Sequence, residues 1–528
     1  MLTLKGFLKS ITGLGAGIGM LLVTPNALLA FTITKGKGPA GVEINPRSIR
    51  QATDAEFAAA RTRAIRPPLP LDRSEYEREK RKANREAFIP AAGAAEDRFA
   101  VQDTAQEPAV NAAAAPTTYY QSRVFDGPSM NGWVPADPIM AAGPNDVVVM
   151  VNDAIAIYSK TGTNRYQTTL ENWWADVITL PNACDPQVVY DCHAGRWIML
   201  ALAFNSAGTQ SSILLSVSKT SDPMGDWWNY NLSEPSGFAD YPKLGFDCYG
   251  AIYIATNQFS YTTGNFINTQ LRVLKKSQAY KGLALTWTDF TAMRNADNSL
   301  VFTLQPAHML SPDRVEYLVN NTGGPGNYVT LWKVTSSTGT PALTRVGTIS
   351  VRSYSIPPNA AQPGGSALID TNDTRLLNAV YTNYNLYTSF AEAKNWGSGT
   401  VSANRYVAIN TRNNILTADI AYGSDGYYYF FPVICPDSAG NVFTLFNRSS
   451  TTEYAGARYT MYNAGTGILE GSTSLAAGQG YYTQERWGDY NGIARDPVKG
   501  TSIWIFSMYA TNSNSWATKI AEVSSDDF

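Results

Sequence analysis

One unit, a strand, a polar turn and a second strand, is spelled four times in this chain, and a repeat of that kind admits few folds. Residues 486–508 read RWGDYNGIARDPVKGTSIWIFSM, and residues 185–200 read DPQVVYDCHAGRWIML. Residues 240–256 read DYPKLGFDCYGAIYIAT, and residues 431–445 read FPVICPDSAGNVFTL. In each copy small and apolar residues lead into an Asp/Gly turn. Residues such as Ile503, Trp504, Ile505 and Phe506 then follow, the composition of a half-buried pleated surface. Gly195, Gly250, Gly440 and Gly500 are expected to supply positive φ in the turns.

Each repeat can be anchored on the proline, or its equivalent, that opens its first strand. The anchors are Pro138, Pro186, Pro242, Pro306, Pro363, Pro432 and Tyr490, 48 to 69 residues apart. Each interval holds four short strands. One such sheet cannot bury both its faces; a closed ring of them can, and closure removes long exposed edges. The expected fold is all-β, a seven-bladed β-propeller over residues 118–528. The stretch after Tyr490 is one strand short of a blade, and residues 119–125 are placed to supply it and latch the ring.

Two upstream segments read differently. Lys5 and Lys9 precede an apolar run over residues 11–23, and small residues follow to Ala30, the pattern of a secretory signal peptide. Gly13, Gly15, Gly17, Gly19 and Pro25 make a poor spanning helix, so residues 1–30 are expected to be a cleaved signal rather than an anchor. Residues 31–117 are rich in Arg, Glu, Pro and then Ala, and are expected to be a disordered linker or pro-segment. The chain is then secreted or extracellular, at the periplasm or cell surface, with no membrane span after signal cleavage, and is expected to be a monomer.

A formal net charge of −2 gives no global attraction to nucleic acid or to an anionic membrane. Four cysteines permit two disulfides, and Cys192 and Cys248, in the same turn of neighbouring repeats, are the favoured pair. Two histidines and no CxxC argue against zinc. No nucleotide, flavin or nucleophile-elbow fingerprint stands in a suitable context, so no organic cofactor is expected.

The stretches DPQVVYDCHAGRW, ADYPKLGFD, PDSAGNVFTLFNRSS and RWGDYNGIARDP resemble a family of secreted bacterial seven-bladed β-propellers, sialidase-like in architecture. The resemblance spans roughly residues 119–525 and implies the fold. It brings no settled activity. The sialidase Asp-box is absent in strict form, so sialidase catalytic residues are not carried over.

The residue before each anchor is Asp137, Asp185, Tyr241 (after Asp240), Gln305, Gln362, Phe431 and Asp489. First strands of blades line the channel, so Asp489, Asp137, Asp185 and Asp240 are expected to converge at its mouth. Clustered carboxylates raise one another's pKa and cost stability. They point to a hard cation, Ca²⁺, held by Asp137, Asp185, Asp240 and Asp489. After the cation, which is the favoured of the two, they point to an acid/base pair for glycosidic cleavage drawn from Asp489, Asp185 and Asp240. The plainer reading is that each Asp caps its own turn. Arg486, Trp487 and Tyr490 around Asp489, with Tyr241 and Lys243 around Asp240, suit an acidic sugar, because guanidinium binds carboxylate in two-pronged fashion and aromatic rings stack on a pyranose. His308, on an expected inner strand, could abstract the proton α to a uronate carboxylate, which is lyase chemistry.

Two functions fit. The first is binding and processing of an extracellular polysaccharide, as a glycoside hydrolase or polysaccharide lyase. The second is a non-catalytic, calcium-stabilised module that binds a glycan or cell-surface ligand.

Overall fold

The computed structural model describes residues 31–59, 63–64, 72–87, 100–104, 119–484 and 486–526. The expected signal peptide lies outside the described residues. Nearly every element is a strand. The inner strands are β1 (Ile139–Ala142), β2 (Asn182–Asp191), β3 (Phe238–Phe246), β4 (Gln305–Pro306), β5 (Asn378–Thr382), β6 (Tyr427–Pro436) and β7 (Gly492–Arg495). Each opens an antiparallel meander running outwards; β2, for example, pairs with Arg196–Phe204, which pairs with Ser211–Ser218, which pairs with Trp227–Ser233. Ser211–Ser218 is buried along its whole length because both faces meet a neighbouring sheet. One apolar cluster, with Val148, Ile155, Trp173, Trp197 and Trp227, fills the space between the first two meanders. Another, with Leu200, Leu215, Leu244 and Ile254, fills the next space. Sheets stacked face to face about an axis are the propeller arrangement.

Among the described residues five sheets of four or five strands are separate, not the seven expected. The meanders that begin at β3 and β5 run together in one eleven-stranded sheet. Their link is His308–Met309, just beyond β4, which pairs in parallel with both inner strands through Phe246↔His308 and His308↔Val380. The anchor at Pro363 was also misplaced: the inner strand of that unit is β5, which begins only at Asn378. Contacts pass from β1 to β2, β3, β4, β5, β6 and β7, and β7 touches β1, so the ring closes. Tyr120–Asp126 pairs antiparallel with the last strand, Trp516–Ser524, and forms the expected latch.

The repeat motif has a local cause. Asp137, Asp185, Tyr241 and Phe431 each precede a proline and adopt φ of 50–53°. The ladder skips register between Cys184 and Gln187, between Asp240 and Lys243, and between Phe430 and Val433. These are β-bulges; each seats a proline, which cannot donate to the ladder, where no ladder bond is required. At the far end of the inner strands each turn is tied by an Asp. Asp191 accepts from the N–H groups of His193 and Ala194, and Asp247 from Tyr249 and Gly250. Asp437 accepts from Ala439 and Asn441, and Asp496 from Val498 and Lys499. Gly195 and Gly440 have the expected positive φ, but Gly250 and Gly500 do not. Those two are needed for close approach: a Cβ would lie 2.5 Å from Thr338 Cγ2 at Gly250 and 2.6 Å from Ser438 Oγ at Gly500.

The expectation of disorder over residues 31–117 is corrected for its described parts. Thr32–Lys37, Val42–Ile44 and Ala100–Gln102 add to the outermost strands of three meanders. Those edges would otherwise present unpaired N–H and C=O groups. Asp103 then plunges into the body, accepting from Tyr429 Oη at 3.0 Å and from the Ser472 N–H at 2.8 Å, within 3.4 Å of Arg448. The helix Arg73–Glu86, capped by Asp72, is polar throughout. It is held by the buried Lys80, which donates to Pro357 O, Thr371 Oγ1 and Asn372 O and pairs with Asp370 at 3.3 Å. Among the described residues no helix is long and apolar enough to cross a membrane.

Candidate functional site

The bulges set Asp137, Asp185 and Tyr241 at one end of the axis, and the loop 486–491 brings Arg486, Asp489 and Tyr490 to them. Asn152 ties the first two positions together: its Nδ2 donates to Asp137 Oδ2 at 2.7 Å, and its Oδ1 accepts from the Asp185 N–H at 2.9 Å. Asp137 Oδ1 accepts from the Asp489 N–H at 2.7 Å, and the Asp489 carboxylate is ion-paired with Arg486. The Tyr241 hydroxyl donates to the Asp489 carbonyl at 3.1 Å, and its ring stacks on Tyr490 with centroids 5.1 Å apart. Lys243 Nζ lies 3.9 Å from the Tyr241 centroid and 4.2 Å from that of Tyr490. Arg375, held by both oxygens of Asp373, covers the Tyr241 ring at 4.5 Å.

Burial dominates the electrostatics. Asp137 is fully buried, and burial, reinforced by the charge of Asp489, lifts its pKa to about 7. Burial, with Asp240, Asp137 and Asp489 nearby, holds the Asp185 carboxyl well above the usual carboxylate range. Burial, with Arg375 adding to it, drives Lys243 well below the usual ammonium range. Asp240 is half-exposed at the same end.

The expected convergence of Asp137, Asp185, Asp240 and Asp489 therefore occurs, but these residues do not fit a cation. Asp137 and Asp489 spend their oxygens on Asn152, a backbone N–H and Arg486, and burial disfavours the charged form of Asp185. Among the described residues no group of three or more His, Cys, Asp or Glu could hold a metal ion. The stacking role of Trp487 also fails. It is 1% exposed and packs against Tyr482 and Phe430 as core. Tyr241, Lys243 and Tyr490 are buried as well and close the axis instead of lining an open mouth. The cavities along the axis measure about 30 and 40 Å³, too small for a sugar ring. His308 lines both. Its Nε2 is committed to the Leu244 carbonyl at 3.1 Å, and burial lowers its pKa to about 4, so it is neutral and set apart from the carboxylates.

Some participants carried no sequence signal. Arg375 and Asn152 sit on loops outside the repeat motif, and only the fold brings them to the axis. Asp153, next to Asn152, has its pKa lifted to about 9 by burial and by a hydrogen bond shared with Glu171. The four cysteines are free thiols, so the favoured Cys192–Cys248 disulfide is not formed. Cys248 Sγ instead lies 3.0 Å from His193 Nε2, which also reaches the Met309 carbonyl at 2.7 Å.

No protein-family profile and no curated protein matches the chain. Among solved structures it is similar to a Hadza microbial sialidase at 11% identity and TM-score 0.39, over 71% of this chain and 73% of that one. It is similar to the α-L-arabinanase of Penicillium chrysogenum at 10% identity and TM-score 0.34, over 74% and 94%. A quinohemoprotein alcohol dehydrogenase from Comamonas testosteroni scores as high as the sialidase, TM-score 0.39 at 8% identity over 78% and 77%. Likenesses this distant carry no argument about activity.

Proposed function

We propose that the protein is an exported, seven-bladed propeller that binds and hydrolyses an extracellular polysaccharide at the axial face bearing Asp185, Asp240 and Asp489. The blade count treats the eleven-stranded sheet as two blades fused by His308–Met309, a reading supported by the closed circuit of inner strands. One observation carries the chemistry. Neighbouring carboxyls at this face are held differently, burial pushing the Asp185 carboxyl well above the usual range while Asp489 is ion-paired with Arg486. Environments that separate two carboxyls in this way are what acid/base cleavage of a glycosidic bond requires. Asp185 is the general acid in this reading, and Asp240, which reaches solvent, is the partner that addresses water. Asp489 and Arg486 hold the pair in place. A lyase reading loses its base, because His308 lies apart in the channel.

The second reading is a non-catalytic binding module. It is favoured by the burial of Trp487, Tyr241 and Tyr490, which takes the three rings expected at the mouth out of reach of a sugar. Incubation of the protein with acidic and neutral polysaccharides separates the readings. Hydrolysis releases reducing ends without the ultraviolet absorbance of unsaturated uronates. Retention of the protein on a polysaccharide without new reducing ends would favour the binding module.

A further inference from the structure

Beside the stacked tyrosines the axis holds a cavity of about 30 Å³, lined among others by Gln187, Lys243, Gln305, His308, Tyr490 and Asn491. Lys243 is 3% exposed, and its one hydrogen bond, to the Leu377 carbonyl, is long at 3.5 Å. It makes no ion pair among the described residues. The carboxylates of Asp489, Asp185 and Asp137 act on it only through space, and Arg375 opposes them. Gln187 is 6% exposed, and its Nε2 has no partner. An ammonium removed from water without a counter-charge is strongly disfavoured, which is why burial pushes the Lys243 pKa down, and an unpaired buried amide adds a further cost. Both deficits have the same sign: donors that lack an acceptor.

Beyond that long bond, neither donor reaches an acceptor in the lining. The Leu244 carbonyl is taken by His308, and the Leu376 carbonyl accepts from Gln305 Nε2 at 2.5 Å. Asn491 Oδ1, which also lines the cavity, has no partner and so is bonded to neither donor; its Nδ2 donates to Phe431 O and Asn447 Oδ1. A neighbouring cavity of about 40 Å³ shares Met140, His308 and Ile493 with the first. A space near 30 Å³ matches one water-sized particle and shuts out sulfate, phosphate and carboxylates.

We propose that this cavity binds a small monovalent anion of the halide class, with Lys243 Nζ and Gln187 Nε2 as its donors. The anion supplies the counter-charge the lysine lacks and fastens β2 to β3 at the axis. The site is independent of the glycan reading, since neither donor takes part in the proposed hydrolysis.

The test compares melting of the full chain in sodium methanesulfonate with melting in sodium chloride and sodium bromide at equal ionic strength. Crystals soaked in bromide are measured at the bromine edge. The expected result is a saturable rise of several degrees in the halides, as binding to the folded state requires, and an anomalous peak within hydrogen-bond distance of Lys243 Nζ. Lys243→Met should abolish the halide dependence, and Gln187→Leu should raise the half-saturating concentration at least tenfold. Equal melting in all three salts, or density at Lys243 without a bromine signal, overturns the proposal. The wild-type crystal decides the matter if the lysine variant does not fold.

Discussion

Asp137 makes the whole protein sensitive to pH in a direction opposite to that of most carboxylates. Its pKa lies near 4 in an unfolded chain and at about 7 in the folded one. The folded state therefore binds the proton more tightly. The stability this contributes is complete below about pH 4 and is lost as pH rises through about 7, at up to roughly 1.4 kcal/mol per pH unit. Urea denaturation at pH 5 and pH 8 should show the loss, and Asp137→Asn should reduce the dependence over that window, leaving the part that Asp153 and Asp185 contribute with the same sign. Asp489 behaves differently. Asp489→Ala leaves Arg486 buried without its partner and should cost about 3–5 kcal/mol, read by the same denaturation. The carboxylates were legible because each stands next to a repeated anchor. The burial of Trp487 was not, since an aromatic residue beside Arg and Asp suits a sugar platform and a core equally well. Lys243 was assigned to a ligand, where the stacked rings of Tyr241 and Tyr490 instead cover its ammonium group.

At the level of elements the segment upstream of the ring holds the largest surprise. Composition alone reads residues 31–117 as too polar to fold by themselves, and that is sound physics for an isolated chain. What composition misses is that the outer edges of a propeller offer ladder partners ready-made. Thr32–Lys37 needs no core of its own once Thr286–Thr291 is there to pair with. Asp103 shows that the docking is deep, with its side chain and that of Arg448 both fully buried. Asp103→Ala should cost about 3 kcal/mol by calorimetry, because it removes an acceptor from Tyr429, Ser472 and Arg448 at once. A melting curve unchanged by that substitution would show the segment to be peripheral. The weak repeat at Pro363 failed for a related reason. Its Gly and Pro residues spell a loop, and the strand that follows carries no anchor proline.

For the molecule as a whole the governing fact is closure. The ring joins its two ends by pairing Tyr120–Asp126 with Trp516–Ser524, so the ends depend on each other. Removing residues 119–126 should expose that edge and cause aggregation on mild heating, visible by light scattering; a soluble, cooperatively melting product would argue against the latch. The same closure packs the charged residues of the axial end tightly enough that burial pushes the Asp185 carboxyl well above its usual range while Asp489 stays paired with Arg486. The proposed function rests on that difference between carboxyls. It is tested most directly by comparing the wild type with Asp185→Asn on a polysaccharide that the wild type cleaves, while recording the melting temperature of both. Burial already disfavours the charged form of Asp185, so the amide should leave the fold melting within a degree or two of the wild type. Release of reducing ends should fall at least about 100-fold, since the proton donor is gone. Turnover that survives the substitution, with the fold intact, would contradict the assignment of Asp185 and move the chemistry away from the axis.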